Sequence, residues 1–509
     1  MKTKKVLALI LSSLFVLSTF AGCGNKAANT TVSDTTQKKE YNGIDISKPV
    51  ELTMYLPVDA PQDEELMETE LNKYLKDKIN ATVKIYRLGW GDNYQNKLIS
   101  MVGSRQDFDI CFTATWLFTF KEQAAKGAFI KMNDLIPKYA PNAQKALGDD
   151  FINAASVNGD VYALPTLKEK AHAWGFIFNK KLVDKYNLDI SKVNSLEDVE
   201  PLLKVIKEHE KGVYPLEALV GENPAKLLDF DNLGGDKTPG VVYNDSKDLK
   251  PLFQFDTPEY KKYFETMRKY YLAGYIRKDA PSVTDFEADE KAGKIFCAVK
   301  SLKPGKDVEL TAQQGIEWVQ KYITKPVMSN REANGAMLAV SSTSKNPERS
   351  MMLIDLLYND EHVVNTILYG IKDKHYVEKG KNKYGYMVVD KGPDQARYNP
   401  GNGWLYGNQF LNYLTVSEDA QKWQKFEEFN KEATATQTLG FTFDDKPIKN
   451  ETGVMINIWD KYVPSLETGA VDYKTILPKF KKELDDAGLQ RVLDEEGKQL
   501  KSWAEKNGK

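Results

Sequence analysis

Between residues 50 and 113 the apolar pattern switches period four times. Val50-Glu-Leu-Thr-Met-Tyr-Leu56 alternates and predicts a strand, and Pro57 and Pro61 bracket the turn after it. Leu66, Met67, Leu71, Leu75 and Ile79 then recur at helical spacing. Ala81-Thr-Val-Lys-Ile-Tyr86 alternates again, Tyr94 to Met101 reads as a short helix ended near Gly103, and Phe108-Asp-Ile-Cys-Phe-Thr113 reads as a buried strand. Strand, helix, strand, helix, strand leaves little choice. Each helix carries the chain back across a sheet face, so the fold is α/β with a mainly parallel sheet.

Later segments continue the alternation. Ser195 with Asp198 makes a capping-box-like start for a helix over 196–210, stopped near Gly212. Thr257-Pro258 starts a helix that places Tyr260, Phe264, Met267 and Tyr271 on one face and ends at Gly274. Asn346-Pro347 starts another with Met351, Ile354 and Leu357, and Ser417 starts one with Ala420, Trp423 and Phe426. The tail from Pro478 to Trp503 reads as a charged helix with Leu484, Leu489, Val492 and Leu493 as its apolar face. No repeat of 20–50 residues is visible.

With 509 residues and 41% hydrophobic side chains, the chain can build several sizeable cores. Lys+Arg 70 against Asp+Glu 72 gives a net charge of −2, a balance that argues against nucleic acid as the main partner. Three cysteines cannot make a disulfide scaffold. Cys111 and Cys297 both read as small hydrophobes in buried strands, and a disulfide between them stays open.

The N-terminus reads as an address. Lys2, Lys4 and Lys5 precede an apolar run from Val6 to Phe20, short for a membrane span and right for a secretory signal over residues 1–22. The run ends in Phe20-Ala21-Gly22-Cys23, which resembles a bacterial lipobox, although Phe20 stands where Leu is usual. Lipidation of Cys23 would hold the body at the outer face of the cell membrane. Residues 23–45 lack apolar periodicity through most of their length and read as a flexible tether.

Several stretches together resemble a known family. They are the lipobox and tether, Phe108-Asp-Ile-Cys-Phe-Thr-Ala-Thr-Trp116, Lys126-Gly-Ala-Phe-Ile-Lys-Met-Asn-Asp-Leu135, and Asn158-Gly-Asp-Val-Tyr-Ala-Leu-Pro165 followed by Gly175-Phe-Ile-Phe-Asn-Lys180. In this order they resemble the solute-binding lipoproteins of ABC importers, of the type grouped with extracellular sugar-binding proteins. Thr343–Arg349, Tyr369–Tyr376, Arg397–Gly401, Gly407–Tyr413 and Leu439–Asp444 resemble a specialised C-terminal region of unknown function found in such lipoproteins. The resemblance implies a two-lobe periplasmic-binding-protein-like fold of type II, with a hinged cleft and extra C-terminal helices. It places lobe 1 over 46–165 plus 335–400, and lobe 2 over 166–334 plus 401–509. The crossings fall near Pro165 and near Asn334-Gly-Ala-Met-Leu-Ala-Val340. It also implies a monomeric binder of carbohydrate, an oligosaccharide above all, working with permease subunits and a separate ATPase.

A sugar offers hydroxyls for polar groups and C–H faces for aromatic rings. Trp116 follows a strand at its carboxyl end, where open α/β sheets bind ligands. Trp174 lies just past the first crossing, Trp90 sits in Gly89-Trp-Gly91, and Trp404 sits in Gly403-Trp-Leu-Tyr-Gly407. Asp59, Asn232, Asn334 and Asn408 are the polar candidates, since amides both donate and accept. Turn or capping roles compete for each of these four, and lobe or hinge packing competes for each tryptophan.

The four histidines, His172, His209, His362 and His375, show no metal-ligand spacing; His172 and His375 lie near cleft segments. The acids Asp229 and Asp231 begin like a calcium loop, but Leu233 and Gly240 break the pattern, so no metal and no cofactor is expected. No phosphate-binding loop and no nucleophile elbow occurs. An importer component is therefore not its own motor, and nothing supports the rival reading of a secreted glycoside hydrolase. A binder of peptide or another small molecule, or a sensor domain, shares every feature except the ligand class.

Overall fold

A computed structural model of the chain describes residues 39–508 apart from 158, 222, 236 and 284–286. The signal segment, Cys23 and the tether up to residue 38 lie outside the described residues. The strands that organise the molecule are β1 Val50–Leu56, β2 Ala81–Arg87, β3 Ile110–Thr113, β4 Ala163–Pro165, β5 Ala173–Asn179, β6 Tyr214–Leu216, β7 Ile295–Leu302, β8 Trp318–Tyr322 and β9 Met337–Val340.

They form two sheets, each with its own core. The first runs β2-β1-β3-β9-β4. Its first three strands are parallel, as the βαβ pattern requires, and β9 enters antiparallel between β3 and β4 after the long excursion from residue 165. The second sheet runs β8-β5-β7-β6, with β5 antiparallel to both of its neighbours. Leu52, Leu71, Phe112, Leu338 and Leu357 belong to the first core, and Phe176, Phe264, Phe296, Trp459 and Phe480 to the second. The chain thus builds two lobes, one on each sheet. Cys111 lies in the first core and Cys297 in the second, both as free thiols, so they do not pair.

The chain passes between the lobes three times. The passage 165–173 and the passage 327–337 lie side by side, joined where the backbones of His172 and Val327 exchange hydrogen bonds of 3.0 and 2.8 Å. The third passage carries the helix Lys422–Glu432 and then Thr434–Ala435, which pairs in parallel with Val327–Met328. Phe429 of that helix packs on Ala171 and Ala173. Leu405 and Tyr406 belong to the first core, past the boundary expected at residue 400. The reason is Arg87. Its side chain is fully buried, bonded to Glu64 at 2.8 Å, to the Tyr406 hydroxyl at 2.8 Å and to the Tyr398 hydroxyl at 3.0 Å. An unpaired buried guanidinium would be costly, so Arg87 holds the segment 398–406 against the first lobe.

Two local readings change. Residues 40–45 are not tether: Glu40–Tyr41 and Ile44–Asp45 form a hairpin around Asn42-Gly43, both with positive φ, the backbone a tight hairpin turn needs. Tyr41 anchors it by donating its hydroxyl to Asp355 at 2.7 Å. The tail is not one helix but two, Tyr473–Asp486 and Leu489–Asn507, broken where Gly488 takes φ 99°.

The last helix presses a carboxyl into the second lobe. Glu496 is fully buried, and neither of its oxygens has a hydrogen-bond partner among the described residues. A Cβ on Gly240, where φ is +113°, would sit 1.7 Å from Glu496 Oε2. Gly240→Ala is therefore expected to lower stability by about 2–4 kcal/mol through overpacking and backbone strain, read as a fall in melting temperature. Burial pushes the Glu496 carboxyl well above the ordinary carboxylate range. A folded-state value above the unfolded one means stability that is present at low pH and lost as pH rises past ~4.3. Glu496→Gln should flatten the fall in melting temperature between pH 5 and 8, and an unchanged slope in the variant would reject this origin.

Candidate functional site

The loops at the carboxyl ends of β1, β2 and β3 lie side by side because those strands are adjacent and parallel. The β1 loop carries Asp59, the β2 loop Trp90 and the β3 loop Trp116. Gly89 and Gly91, with φ of 74° and 65°, let the Trp90 turn form. Asp59 is exposed, with its Oδ1 3.2 Å from where a Cβ on Gly89 would stand, so it edges the same loop. The fourth contributor, Trp404, comes from the segment that Arg87 holds through Tyr398 and Tyr406. A second clamp steadies that segment: Arg397 donates to Asp63 Oδ1 at 2.9 and 2.6 Å, and His375 Nε2 lies 3.1 Å from Asp63 Oδ2. The hydrogen bonds of Arg397 and His375 hold the Asp63 carboxyl well below the usual carboxylate range.

The three indoles meet. Ring centroids are 6.1 Å apart for Trp90–Trp116, 6.0 Å for Trp90–Trp404 and 6.2 Å for Trp116–Trp404. Trp90 lies within 29° of parallel to Trp116 and within 24° of parallel to Trp404. Buried Phe112 backs the group at 5.9 and 6.1 Å from Trp116 and Trp404. Trp116 stays 52% exposed and Trp90 39%. Trp116 is also fixed in direction, donating its indole N–H to the Gly335 carbonyl at 2.8 Å. Rigid, exposed, contiguous indole surface of this kind gains free energy only when something apolar and flat covers it.

Across the passages, at the start of β5, Trp174 lies in a charged cluster. Its indole N–H donates to Asp229 Oδ1 at 3.1 Å. His172 bridges Asp229 at 2.8 Å and Glu332 at 2.8 Å. Burial alone would lower the His172 imidazole, but Glu332 and Asp229 outweigh it and push the value up to about 10, so the ring is an imidazolium at neutral pH. Glu332 also closes a capping box with Ser329, which fixes the short helix Asn330–Ala333 at the second passage.

Residues 59–364 match the family described as bacterial extracellular solute-binding protein. The chain belongs to that family. Residues 437–505 match a domain of unknown function. A carbohydrate ABC transporter substrate-binding protein of Streptococcus pneumoniae serotype 4 is 29% identical over 505 residues, covering 98% of each chain. Among solved structures, an N-glycan transport solute binding protein of Streptococcus pneumoniae has a TM-score of 0.82 at 28% identity, covering 91% of this chain and all of its own. The same protein in complex with Man1GlcNAc gives a TM-score of 0.76 at 29% identity, covering 90% of this chain and all of its own.

In this solute-binding protein the eight sequence candidates divide. Trp90, Trp116 and Trp404 come together, with Asp59 at their edge. Trp174 does not join them: it is 6% exposed and lies in the second lobe. Asn408 is buried and committed, donating to Tyr358 O at 3.2 Å and accepting the Phe410 N–H at 3.0 Å. Asn334 is buried at the second passage, where it donates to Asn330 O at 2.9 Å while its Oδ1 has no partner among the described residues. Asn232 is exposed on the short strand Asp231–Asn232, turned away from buried Asp231 as strand alternation requires. Arg87, Tyr398 and Tyr406, which position Trp404, were not singled out in sequence. One signal was available: buried positions in β2 are 81, 83, 85 and 87, so alternation places the arginine inward.

Proposed function

We propose that this protein captures an oligosaccharide outside the cytoplasmic membrane and hands it to an ABC permease driven by a separate ATPase. The observation that carries the reading is the platform of Trp90, Trp116 and Trp404, with Asp59 beside it. Pyranose rings present flat C–H faces that such indoles cover, while their rims need groups such as a carboxylate. Family membership and the carbohydrate and N-glycan relatives support the same reading. Ligand that touches both lobes shifts the open–closed equilibrium toward the closed form, which is the form delivered to the permease. Lipid on Cys23 anchors the protein, and the residues between Cys23 and the hairpin at Glu40 give the body its reach. It transports and does not turn the sugar over.

The test is a melting and tryptophan-fluorescence screen of the chain from Lys39 onward against oligosaccharides, with peptides as controls. Ligand at 100 times its Kd should stabilise by about 2.7 kcal/mol, a clear melting shift. A response to peptides with silence across glycans would overturn the carbohydrate assignment, and product formation would overturn the transport reading.

A further inference from the structure

Trp174 is a poor stacking surface for a ligand, because its ring is already occupied. The Arg331 guanidinium lies 5.3 Å from the ring centroid and the Lys226 ammonium 5.7 Å from it. Two cations on one indole are held in place in advance of any ligand. Arg331 is exposed, and neither side chain makes a close ion pair among the described residues, although Arg331 lies within electrostatic reach of Glu332 and Lys226 of Glu467. The carboxylates nearby are spent elsewhere: Asp229 and Glu332 on His172, and Asp229 also on the Trp174 N–H. Asp231 is buried, accepts the Thr438 hydroxyl, and is shifted by burial toward its neutral form. With His172 protonated, three cations surround one ring with the Asp229 and Glu332 carboxylates, and Glu467, which Lys226 reaches, is pushed by burial toward its neutral form.

The cluster thus offers two cationic donors on one ring, while Asp229 Oδ1 and the Glu332 carboxylate are engaged by His172, the Trp174 N–H and Ser329. A neutral sugar hydroxyl can hydrogen-bond to these cations but gains no charge attraction from them. A carboxylate only accepts, and its two oxygens match the guanidinium fork. The position is also right for a shared ligand. Arg331 lies in the short helix Asn330–Ala333, and two residues beyond that helix the Gly335 carbonyl accepts the Trp116 N–H at 2.8 Å.

We propose that Arg331 and Lys226, held on Trp174, form a subsite in the second lobe for a carboxylate carried by the oligosaccharide, as in a uronic or sialic acid residue. This rests on the carbohydrate reading above. The test is titration calorimetry with matched pairs: a glucuronic-acid-terminated oligosaccharide against its glucose-terminated counterpart, and a sialylated glycan against its asialo form. Each pair is measured at low and high salt. The acidic member should bind at least about tenfold tighter, with the ratio narrowing as salt rises. Arg331→Gln should collapse the ratio to within about twofold, and Lys226→Gln should reduce it. Melting curves of both variants confirm that they fold.

Neutral members that bind as tightly as acidic ones would overturn the subsite and leave the carbohydrate reading standing. So would an Arg331→Gln variant that weakens both members in proportion, since Arg331 would then serve hydroxyls. Failure of every member to bind would overturn the carbohydrate reading, and the subsite with it.

Discussion

Replacing Trp116 with alanine is expected to weaken oligosaccharide binding by roughly 30- to 150-fold, a loss of about 2–3 kcal/mol. The ring is 52% exposed, so its removal should shift melting by little, within about 0.5 kcal/mol of stability. The loss arises because a sugar face would return to water instead of lying on indole. Trp116→Phe should retain most of the affinity, since it keeps an aromatic face while losing only the N–H bond to Gly335. Because Trp90, Trp116 and Trp404 touch one another, the double variant Trp90→Ala/Trp116→Ala should cost measurably less or more than the sum of the singles. Affinity unchanged in Trp116→Ala would remove the platform from the binding site.

Ending the chain at Thr436 is expected to abolish folding of the second lobe. The removed region supplies Phe441, Phe443, Trp459, Phe480, Leu484, Val492 and Leu500 to the core around β5 and β7. A single large-to-small change in a core costs about 2–5 kcal/mol, against a total stability of about 5–15 kcal/mol. Loss of seven buried side chains exceeds any such margin. Limited proteolysis should then cut within residues 173–322, and calorimetry should lose the transition of that lobe. A truncated chain that melts like the full one would show that the region is an appendage. On the structure it is part of the second lobe, which gives the domain of unknown function at 437–505 a structural role.

The same region separates what pattern could reveal from what it could not. Its apolar residues Leu484, Leu489 and Val492 read as the face of one helix, yet Leu484 sits on the helix Tyr473–Asp486 and the other two on Leu489–Asn507, and the pattern has no term for the partner those faces meet. Gly488 between two good helical stretches marked a break that the charged, periodic tail masked. The hairpin at Asn42-Gly43 was hidden for a related reason: a polar, lysine-rich neighbourhood reads as tether until Tyr41 is seen on Asp355. Asn408 and Asn334 looked like ligands because amides suit hydroxyls. Only the fold shows that one is a cap and the other is buried at a passage.

Residue order alone determined the α/β class, the three parallel strands β1, β2 and β3 of the first sheet, and the placing of Trp90 and Trp116 at strand ends. These follow from local periodicity and from the geometry of parallel βαβ crossings, which act over a few tens of residues. Tertiary structure decided the rest. It brought Trp404 to the other two indoles, because buried Arg87 requires Glu64, Tyr398 and Tyr406 around it. It also turned Trp174 from a stacking surface into a support for Arg331 and Lys226. Both outcomes depend on how charges far apart in sequence are satisfied once water is excluded, and that is settled only when the lobes pack.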